Sequence, residues 1–450
     1  MTSPPSSPPL APTSFRPDEG FARELDRSDP LGRFAEEFEI PRAADIAHPE
    51  GPAAAGDERS IYLCGNSLGC MPRRARALVQ RELDDWARLG VEAHLHGQSP
   101  WLPYHEQLRG PLGRLVGAHD HEVVAMNSLT VNLHLLMISF YRPTPDRYRI
   151  VIEDSAFPSD SYAVQSQAAL HARSVGFDPA SAIIRLTPRV GEYHLRTEDV
   201  LRVLEEHSAS IALVMLGGVN YLTGQFMDIP AITAAGRRLG CVVGWDLAHA
   251  AGNVPLRLHD WDVDWAAWCS YKYLNAGPGA VAGAFVHDRH LRDPSLPRLA
   301  GWWGNDPATR FRMGPDFVPV PRADAWALSN PPILSMAPLV ASLELFDRAG
   351  MEALRRKSLT LTAYFEWWID RLNGQNPGRI IRILTPRDSA QRGCHLSLEL
   401  PCRGRDAMDA LRRAGVVCDF REPNVIRMAP VPLYNSFMDV YRAAQVLARL

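Results

Sequence analysis

The stretch CVVGWDLAHAAGNV (241–254) and its continuation WAAWCSYKYLNAGPGAVAGAF (265–285) decide the fold class of this chain. Each begins with a short apolar run that is typical of a buried β-strand. The first run ends in Asp246, and the second leads into Tyr271 and Lys272. Because parallel strands bring their carboxyl ends to one edge of a sheet, we expect these polar side chains to meet in a ligand-binding crevice.

Similar apolar runs alternate with helical patterns from about Arg59 onward. The predicted strands are Val123–Met126, Tyr148–Ile152, Ala182–Leu186, Ile211–Leu216, Cys241–Trp245 and Trp265–Ser270. Continuous apolar strands separated by helices indicate a mainly parallel sheet that is covered on both faces. The pattern therefore predicts an α/β protein.

The pattern changes after Trp303, where proline clusters are followed by a long predicted helix from Pro338 to about Leu372. Shorter strands and helices come next, and they indicate a smaller α+β domain. The predicted parts are a disordered Pro/Ser-rich tail (1–18), an N-terminal segment that packs with the small domain (19–58), a large domain (59–310) and a small C-terminal domain (311–450).

The composition of the 450 residues argues against nucleic-acid and membrane partners. Lys plus Arg number 48 against 51 for Asp plus Glu, a net charge of −3, so no basic surface for phosphates is expected. No apolar run approaches the roughly 18 residues that a membrane span requires. The seven cysteines include no CxxC pair, and the N-terminus lacks a secretory signal. We therefore expect reduced thiols and a cytoplasmic location.

An acid and an amine at neighbouring strand ends suit pyridoxal phosphate (PLP). A lysine such as Lys272 forms a Schiff base with the aldehyde of PLP, and a carboxylate such as Asp246 keeps the pyridine nitrogen protonated. An ordinary salt bridge between the two residues is the alternative. The tight loop indicated by Asn275, Gly277 and Gly279 favours a ligand instead.

Two further features fall at strand ends of the same predicted sheet. The helix start at Leu129 and Thr130 offers backbone N–H groups and a hydroxyl that suit a phosphate dianion, although a simple helix cap is the alternative. Phe157 lies just past another strand end, close to Asp160, where its ring could stack on a planar cofactor. Ordinary core packing is the alternative for that ring.

Together these segments resemble the kynureninase family. The matching stretches are YLCGNSLG (62–69), MNSLTVNLHLLMISFYRPT (126–144), AFPSDSYA (156–163), VNYLTGQ (219–225), DLAHAAGNV (246–254), WCSYKYLNAGPG (268–279), GWWG (301–304), SNPPIL (329–334) and RMAPVPLYNSF (427–437). They span nearly the whole folded part of the chain. The resemblance implies the PLP-dependent transferase fold type I of class V aminotransferase-like enzymes, with a mainly parallel seven-stranded sheet in the large domain and an α+β small domain.

The resemblance also implies a homodimeric enzyme that uses pyridoxal 5'-phosphate to cleave the Cβ–Cγ bond of L-kynurenine, 3-hydroxy-L-kynurenine or both. The implied products are L-alanine and anthranilate or 3-hydroxyanthranilate. The resemblance leaves open which substrate is preferred. It also leaves open whether the reaction serves tryptophan catabolism and NAD biosynthesis or a specialised biosynthetic pathway.

Site residues follow from the matching motifs. The implied catalytic residues are Lys272, as the Schiff-base lysine, and Tyr271, as a proton relay. The implied cofactor-binding residues are Leu129, Thr130, Phe157, Pro158, Ser159, Asp160, Gly217, Asp246, His249, Tyr271, Lys272, Trp302 and Asn330. The implied substrate-binding residues are Arg427, for the α-carboxylate, with His94 and Asn330 for the aryl group, and no metal is expected. Gly217 is a departure, because related chains often carry a hydroxyl residue there.

Three alternative functions remain open at this point. GNSLG (65–69) satisfies the nucleophile-elbow pattern of α/β-hydrolases, with Ser67 as the nucleophile. The PLP fold also serves cysteine desulfurases and class V aminotransferases, although no cysteine lies in an obvious flexible loop. A non-enzymatic PLP-binding dimer is the third alternative.

Overall fold

The structure is a computed structural model that describes residues 14–46, 58–378, 380–400 and 403–450. The chain forms two compact units. The large unit consists of Pro72–Tyr221 and Gln225–Asp347, and the small unit consists of the remaining described residues. Within the described ranges, no helix combines the length and the apolar character that a bilayer crossing requires.

Helices and strands alternate along much of the chain. The α-helices are α1 (Glu19–Ser28), α2 (Ala43–Ile46), α3 (Arg73–Leu89), α4 (Ala93–His96), α5 (Glu106–Val116), α6 (Leu129–Phe140), α7 (Pro158–Val175), α8 (Thr197–Glu206), α9 (Ile229–Arg238), α10 (Asp288–Leu291), α11 (Pro307–Arg310), α12 (Ile333–Ala349), α13 (Met351–Gln375), α14 (Gly404–Arg413) and α15 (Phe437–Leu447). The β-strands are β1 (Phe38–Glu39), β2 (Ile61–Tyr62), β3 (Met71–Pro72), β4 (Val123–Ala125), β5 (Arg149–Glu153), β6 (Ile183–Leu186), β7 (Ile211–Gly217), β8 (Val242–Asp246), β9 (Trp265–Trp268), β10 (Gly283–Val286), β11 (Arg382–Ile383), β12 (Leu396–Glu399), β13 (Val416–Val417), β14 (Asp419–Arg421) and β15 (Val425–Met428).

The large unit is built on a seven-stranded sheet with the order β4-β10-β9-β8-β7-β5-β6. Strand β10 is antiparallel to both of its neighbours, and the other strands run parallel to one another. The six strands predicted from the sequence correspond to β4 through β9. The α/β class and the mainly parallel sheet are therefore confirmed.

Helices cover both faces of this sheet, which is why its strands are apolar along nearly their whole length. On one face, Trp265 of β9 stacks against Phe140 of α6 with ring centroids 6.4 Å apart. On the other face, Trp245 of β8 donates from Nε1 to the hydroxyl of Thr233 in α9 at 3.1 Å. Successive side chains of a strand point to opposite faces of the sheet. Because helices cover both faces, the side chains on each face are buried.

The small unit contains a four-stranded antiparallel sheet with the order β11-β12-β15-β14. Leu398 and Ile426 of this sheet share an apolar core with Phe365 of α13 and Val440 of α15. Helix α15 begins after Ser436, whose hydroxyl accepts a hydrogen bond from the backbone N–H three residues on.

The boundaries of the two units differ from the predicted ones. Residues 59–71 group with the small unit, since Ile61 of β2 pairs in parallel with β13. Residues 311–347 belong to the large unit, where Trp326 donates from Nε1 to the hydroxyl of Ser139 at 2.9 Å. Strand pairing and side-chain burial set these boundaries, rather than the change in composition after Trp303.

The predicted tail and one predicted helix are also corrected. Residues 1–13 of the tail lie outside the described residues, but Phe15 is buried and its ring lies 5.2 Å from that of Tyr364. The tail prediction is therefore wrong at its C-terminal end. The helix predicted over 338–372 is two helices, α12 and α13, because Gly350 between them has a φ of 77° that ends a helix.

Candidate active site

Three adjacent strands of the large sheet end in the residues around which the site is built. Strand β5 ends at Glu153, β7 at Gly217 and β8 at Asp246. Strand β7 lies between the other two, and Gly217 is paired in register with Asp246. At the edge of the sheet where these strands end, Gly217 therefore lies between two acidic residues, Glu153 and Asp246.

The amine predicted from the sequence lies at the same edge. Lys272 follows β9, the strand next to β8, and its Nζ is 3.0 Å from Nε2 of His249. The same Nζ lies 5.9 Å from the ring centroid of Phe157 and 5.9 Å from that of Tyr271. Three other predicted site residues thus lie around the amine of Lys272.

A tight loop presents Lys272 to the site. Asn275 is fully buried with a φ of 53°, and its N–H donates to the carbonyl of Lys272 at 3.0 Å. Gly277 and Gly279 have φ values of 82° and 71°, a region that residues with a Cβ rarely adopt. The tight turn expected from these three residues is present.

Asp246 shares a hydrogen bond with a second buried carboxyl group, Asp160. Burial raises the pKa of both carboxyl groups. The charge of Asp246 and the shared hydrogen bond raise the pKa of Asp160 further. The same hydrogen bond acts in the opposite direction on Asp246 and lowers its pKa. Asp246 also accepts a hydrogen bond from the N–H of Ala248 at 2.7 Å. We call Lys272, His249, Asp160 and Asp246 the active-site cluster.

Two helix N-termini meet at the predicted phosphate site. Helix α6 begins at Leu129, and α7 begins at Pro158 directly after Phe157. The hydroxyls of Thr130 and Ser159, both in first turns, are 2.8 Å apart. First-turn N–H groups have no partner within their helix, and the helix dipole is positive at this end. Two such ends side by side suit an anion such as a phosphate.

Three other predicted residues make contacts of their own on the large unit. Trp302 is 41% exposed, and its Nε1 donates to the carbonyl of Arg310 at 3.3 Å. Asn330 is exposed and lines a cavity of about 210 Å³. His94 has its Nδ1 3.0 Å from the carbonyl of Val91. Within the described part of the chain, none of these contacts involves the active-site cluster.

Arg427, the predicted ligand of the substrate carboxylate, belongs to the small unit. It lies on β15 and its side chain is only 1% exposed. Its Nε donates to Oδ1 of Asp419 at 2.7 Å, and its Nη2 pairs with the other carboxylate oxygen. This ion pair fixes the plane of the guanidinium, because these two hydrogen bonds run to one carboxylate.

Sequence reasoning missed Glu153. This residue is 3% exposed, and its Oε2 accepts a hydrogen bond from the N–H of Gly217 at 3.1 Å. Burial, with a contribution from the charge of Asp246, raises the pKa of Glu153 to about 7. The signal that identified Asp246, an acidic residue at the end of an apolar strand, is also present in RIVIE (149–153).

Two alternative functions find little support in this geometry. Ser67 lies in a turn after the two-residue strand β2, and the next helix begins at Arg73, so the strand–elbow–helix unit of hydrolases is not formed there. The six cysteines in the described ranges are all buried, whereas a desulfurase needs a mobile and accessible thiol.

Solved structures share the fold of this chain. A cysteine desulfurase from Thermococcus onnurineus NA1 superposes with a TM-score of 0.68 at 15% sequence identity, over 87% of this chain and 94% of that one. A cysteine desulfurase from Escherichia coli gives a TM-score of 0.68 at 16% identity, over 93% of this chain and 98% of the other. Identity this low shows the common fold alone.

Comparison with protein families and curated relatives is more specific. The aminotransferase class-V family matches residues 79–392, and the kynureninase C-terminal domain matches residues 354–447. The kynureninase of Salinispora tropica is 56% identical over 434 residues, 96% of this chain and 97% of that one. The kynureninase of Mus musculus is 47% identical over 437 residues, 96% of this chain and 93% of that one. The chain therefore belongs to the kynureninase family, whose members are PLP-dependent hydrolases that cleave a carbon–carbon bond.

Proposed function

We propose that this chain hydrolyses L-kynurenine, 3-hydroxy-L-kynurenine or both, releasing L-alanine and anthranilate or 3-hydroxyanthranilate. The observation that carries the proposal is the Nζ of Lys272, 3.0 Å from His249 at the sheet edge where Asp246 is buried. The relatives named as kynureninases support the substrate class.

The residues at this edge fit PLP, the cofactor of the family. Its aldehyde needs an amine, which Lys272 offers, and its ring nitrogen needs a buried anion, which Asp246 offers. Burial disfavours a negative charge on Asp246. A protonated ring nitrogen beside this carboxyl group would offset that charge. The first turns at Leu129 and Thr130 suit the phosphate, and the ring of Phe157 suits one face of the cofactor.

The side chains of the cluster supply proton transfer. Bound PLP provides an electron sink that accepts the electrons released at the α- and β-carbons of the substrate. The free amine of Lys272 would remove the α-proton of the substrate, and His249 holds that amine by a hydrogen bond. Burial raises the pKa of the Tyr271 phenol, which therefore keeps its proton at neutral pH, and we assign this residue the role of a proton relay.

Substrate recognition is assigned to three other residues. Arg427 binds the α-carboxylate, because a planar guanidinium makes two parallel hydrogen bonds to a carboxylate. His94 and Asn330 recognise the aryl group, and Trp302 contacts the cofactor. The assignments of Trp302, Asn330 and Arg427 are supported by the motifs in which these residues occur, GWWG, SNPPIL and RMAPVPLYNSF.

We further propose that the enzyme is a cytoplasmic homodimer that acts in tryptophan catabolism. Trp302 and Asn330 are exposed on the large unit, so a second subunit can complete the surroundings of both. Light scattering is expected to give twice the 50.0 kDa mass of one chain. A fully active monomer would contradict the dimer.

The lysine content of the chain gives a sharp test of the catalytic assignment. The sequence has only two lysines, Lys272 and Lys357. Lys357 is buried in an ion pair with Asp29 at 2.8 Å. Borohydride reduction of the PLP-loaded protein, followed by peptide mass mapping, is therefore expected to find the cofactor on Lys272 alone.

The matched variants are Lys272→Ala and Lys357→Arg. Lys272→Ala is expected to lose the visible absorbance of bound PLP and the release of fluorescent anthranilate or 3-hydroxyanthranilate from the two substrates. Lys357→Arg keeps the ion pair with Asp29 and is expected to retain both signals. Cofactor attached to Lys357, or full activity of Lys272→Ala, would contradict the proposal.

A further inference from the structure

Glu153 adds a third buried carboxyl group beside Asp160 and Asp246. The three residues come from the end of β5, the first turn of α7 and the end of β8, and they are 3%, 6% and 6% exposed. Burial, and then the charges of Asp246 and Glu153, raise the pKa of Asp160. The ionisation of each group therefore depends on the other two.

Gly217 provides the space that the Glu153 side chain occupies. The N–H of Gly217 donates to Oε2 of Glu153 at 3.1 Å, and a Cβ built at position 217 would lie 3.1 Å from Oε1. That separation is shorter than an ordinary van der Waals contact, so the carboxyl group would have to move by a few tenths of an ångström to admit an alanine. The lack of a side chain at position 217 and the position of Glu153 are thus linked.

We propose that Glu153 is a positioning residue that sets the charge of the Asp160–Asp246 pair, and that the N–H of Gly217 positions Glu153. The inference rests on the proposed function, in which this pair holds the ring nitrogen of PLP. Glu153 acts on the cofactor through the pair.

The charge of Glu153 changes in the neutral range, because burial raises its pKa to about 7. Among the described residues, Lys272, Tyr271 and Cys269 are further titratable groups that interact with these carboxyls or with one another. Asn220 is a neutral hydrogen-bond partner of Glu153. As the pH rises through 7, Glu153 loses its proton and the site gains one negative charge. That negative charge favours the protonated form of a PLP ring nitrogen held by the Asp160–Asp246 pair, so the pKa of this nitrogen rises.

The experiment is a pH titration of the visible absorbance of the PLP-loaded protein. Glu153→Gln keeps the shape of the side chain and removes its charge, so the midpoint of the titration is expected to fall by about one pH unit. Gly217→Ala displaces the carboxyl group and is expected to shift the midpoint in the same direction. The double variant is expected to show no shift beyond that of Glu153→Gln.

Asp154→Asn is the matched control. It removes the exposed carboxyl group next to Glu153 in the chain and is expected to leave the midpoint unchanged. A wild-type midpoint in Glu153→Gln overturns the inference. If that variant fails to fold, a wild-type midpoint in Gly217→Ala overturns it equally. A wild-type chain that binds no PLP or cleaves neither substrate overturns the proposed function itself, so the two failures are distinguishable.

Discussion

The amine of Lys272 lies 3.0 Å from Nε2 of His249, although 23 positions separate the two residues in the chain. Each follows a different strand, β9 and β8, and these strands are neighbours in the sheet. The histidine is buried, so its ring is held in place beside the amine. This contact gives the amine a fixed direction before any substrate is bound.

The hydrogen bond between His249 and Lys272 is expected to contribute to turnover. Replacement of His249 by Gln removes a titratable ring nitrogen and is expected to lower kcat by about 10- to 100-fold, while PLP stays bound. Steady-state kinetics and the absorbance of the holoenzyme measure the two effects separately. His259→Gln is the control, because that ring bonds Glu122 at 2.9 Å instead. A wild-type kcat in His249→Gln would argue against any role of the ring in the reaction.

The hydroxyl of Thr130 is expected to contribute to phosphate binding. Thr130→Val keeps the shape of the side chain but loses the hydroxyl that lies 2.8 Å from Ser159. We expect the Kd for PLP to rise about tenfold, which corresponds to roughly one hydrogen bond to a charged group. Equilibrium titration of the apoprotein with PLP measures this change. Thr197→Val, at the start of α8, is the control and should leave the Kd unchanged.

Arg427 is expected to determine the affinity for the α-carboxylate of the substrate. Arg427→Lys keeps a positive charge but cannot form two parallel hydrogen bonds, so KM is expected to rise about 10- to 100-fold. Arg421→Lys is the control, because Arg421 also pairs with Asp419, at 3.2 Å, but is partly exposed. Equal KM values in the two variants would remove Arg427 from the substrate site.

Phe15 is expected to stabilise the small unit. Its ring is 6% exposed and packs against Tyr364 and Phe21. Phe15→Ala is expected to lower the free energy of unfolding by about 3 kcal/mol, measured by denaturant titration, because a buried aromatic ring is lost and a cavity is left. The control is Phe311→Ala, where the ring is 59% exposed. If both variants unfold at the same denaturant concentration, Phe15 contributes no core packing.

The fold class was predictable because the relevant signals are local. Apolar runs such as 211–216 mark strands that are buried on both faces, and the loop glycines Gly277 and Gly279 mark the turn that presents Lys272. The errors occur where distant residues decide the outcome. Phe15 follows a proline-rich run and looks like part of a tail, yet a partner about 350 positions away buries it.

The amino-acid sequence by itself determined the α/β class, the positions of Asp246 and Lys272 at strand ends and the family to which the chain belongs. Only the tertiary structure decided which carboxyl groups share a site. Glu153 accepts a hydrogen bond from Gly217, which is 64 positions away in the chain, because β5 and β7 are adjacent in the sheet. Apolar periodicity acts over a few residues, whereas the ionisation of a buried acid depends on every charge that the fold places beside it.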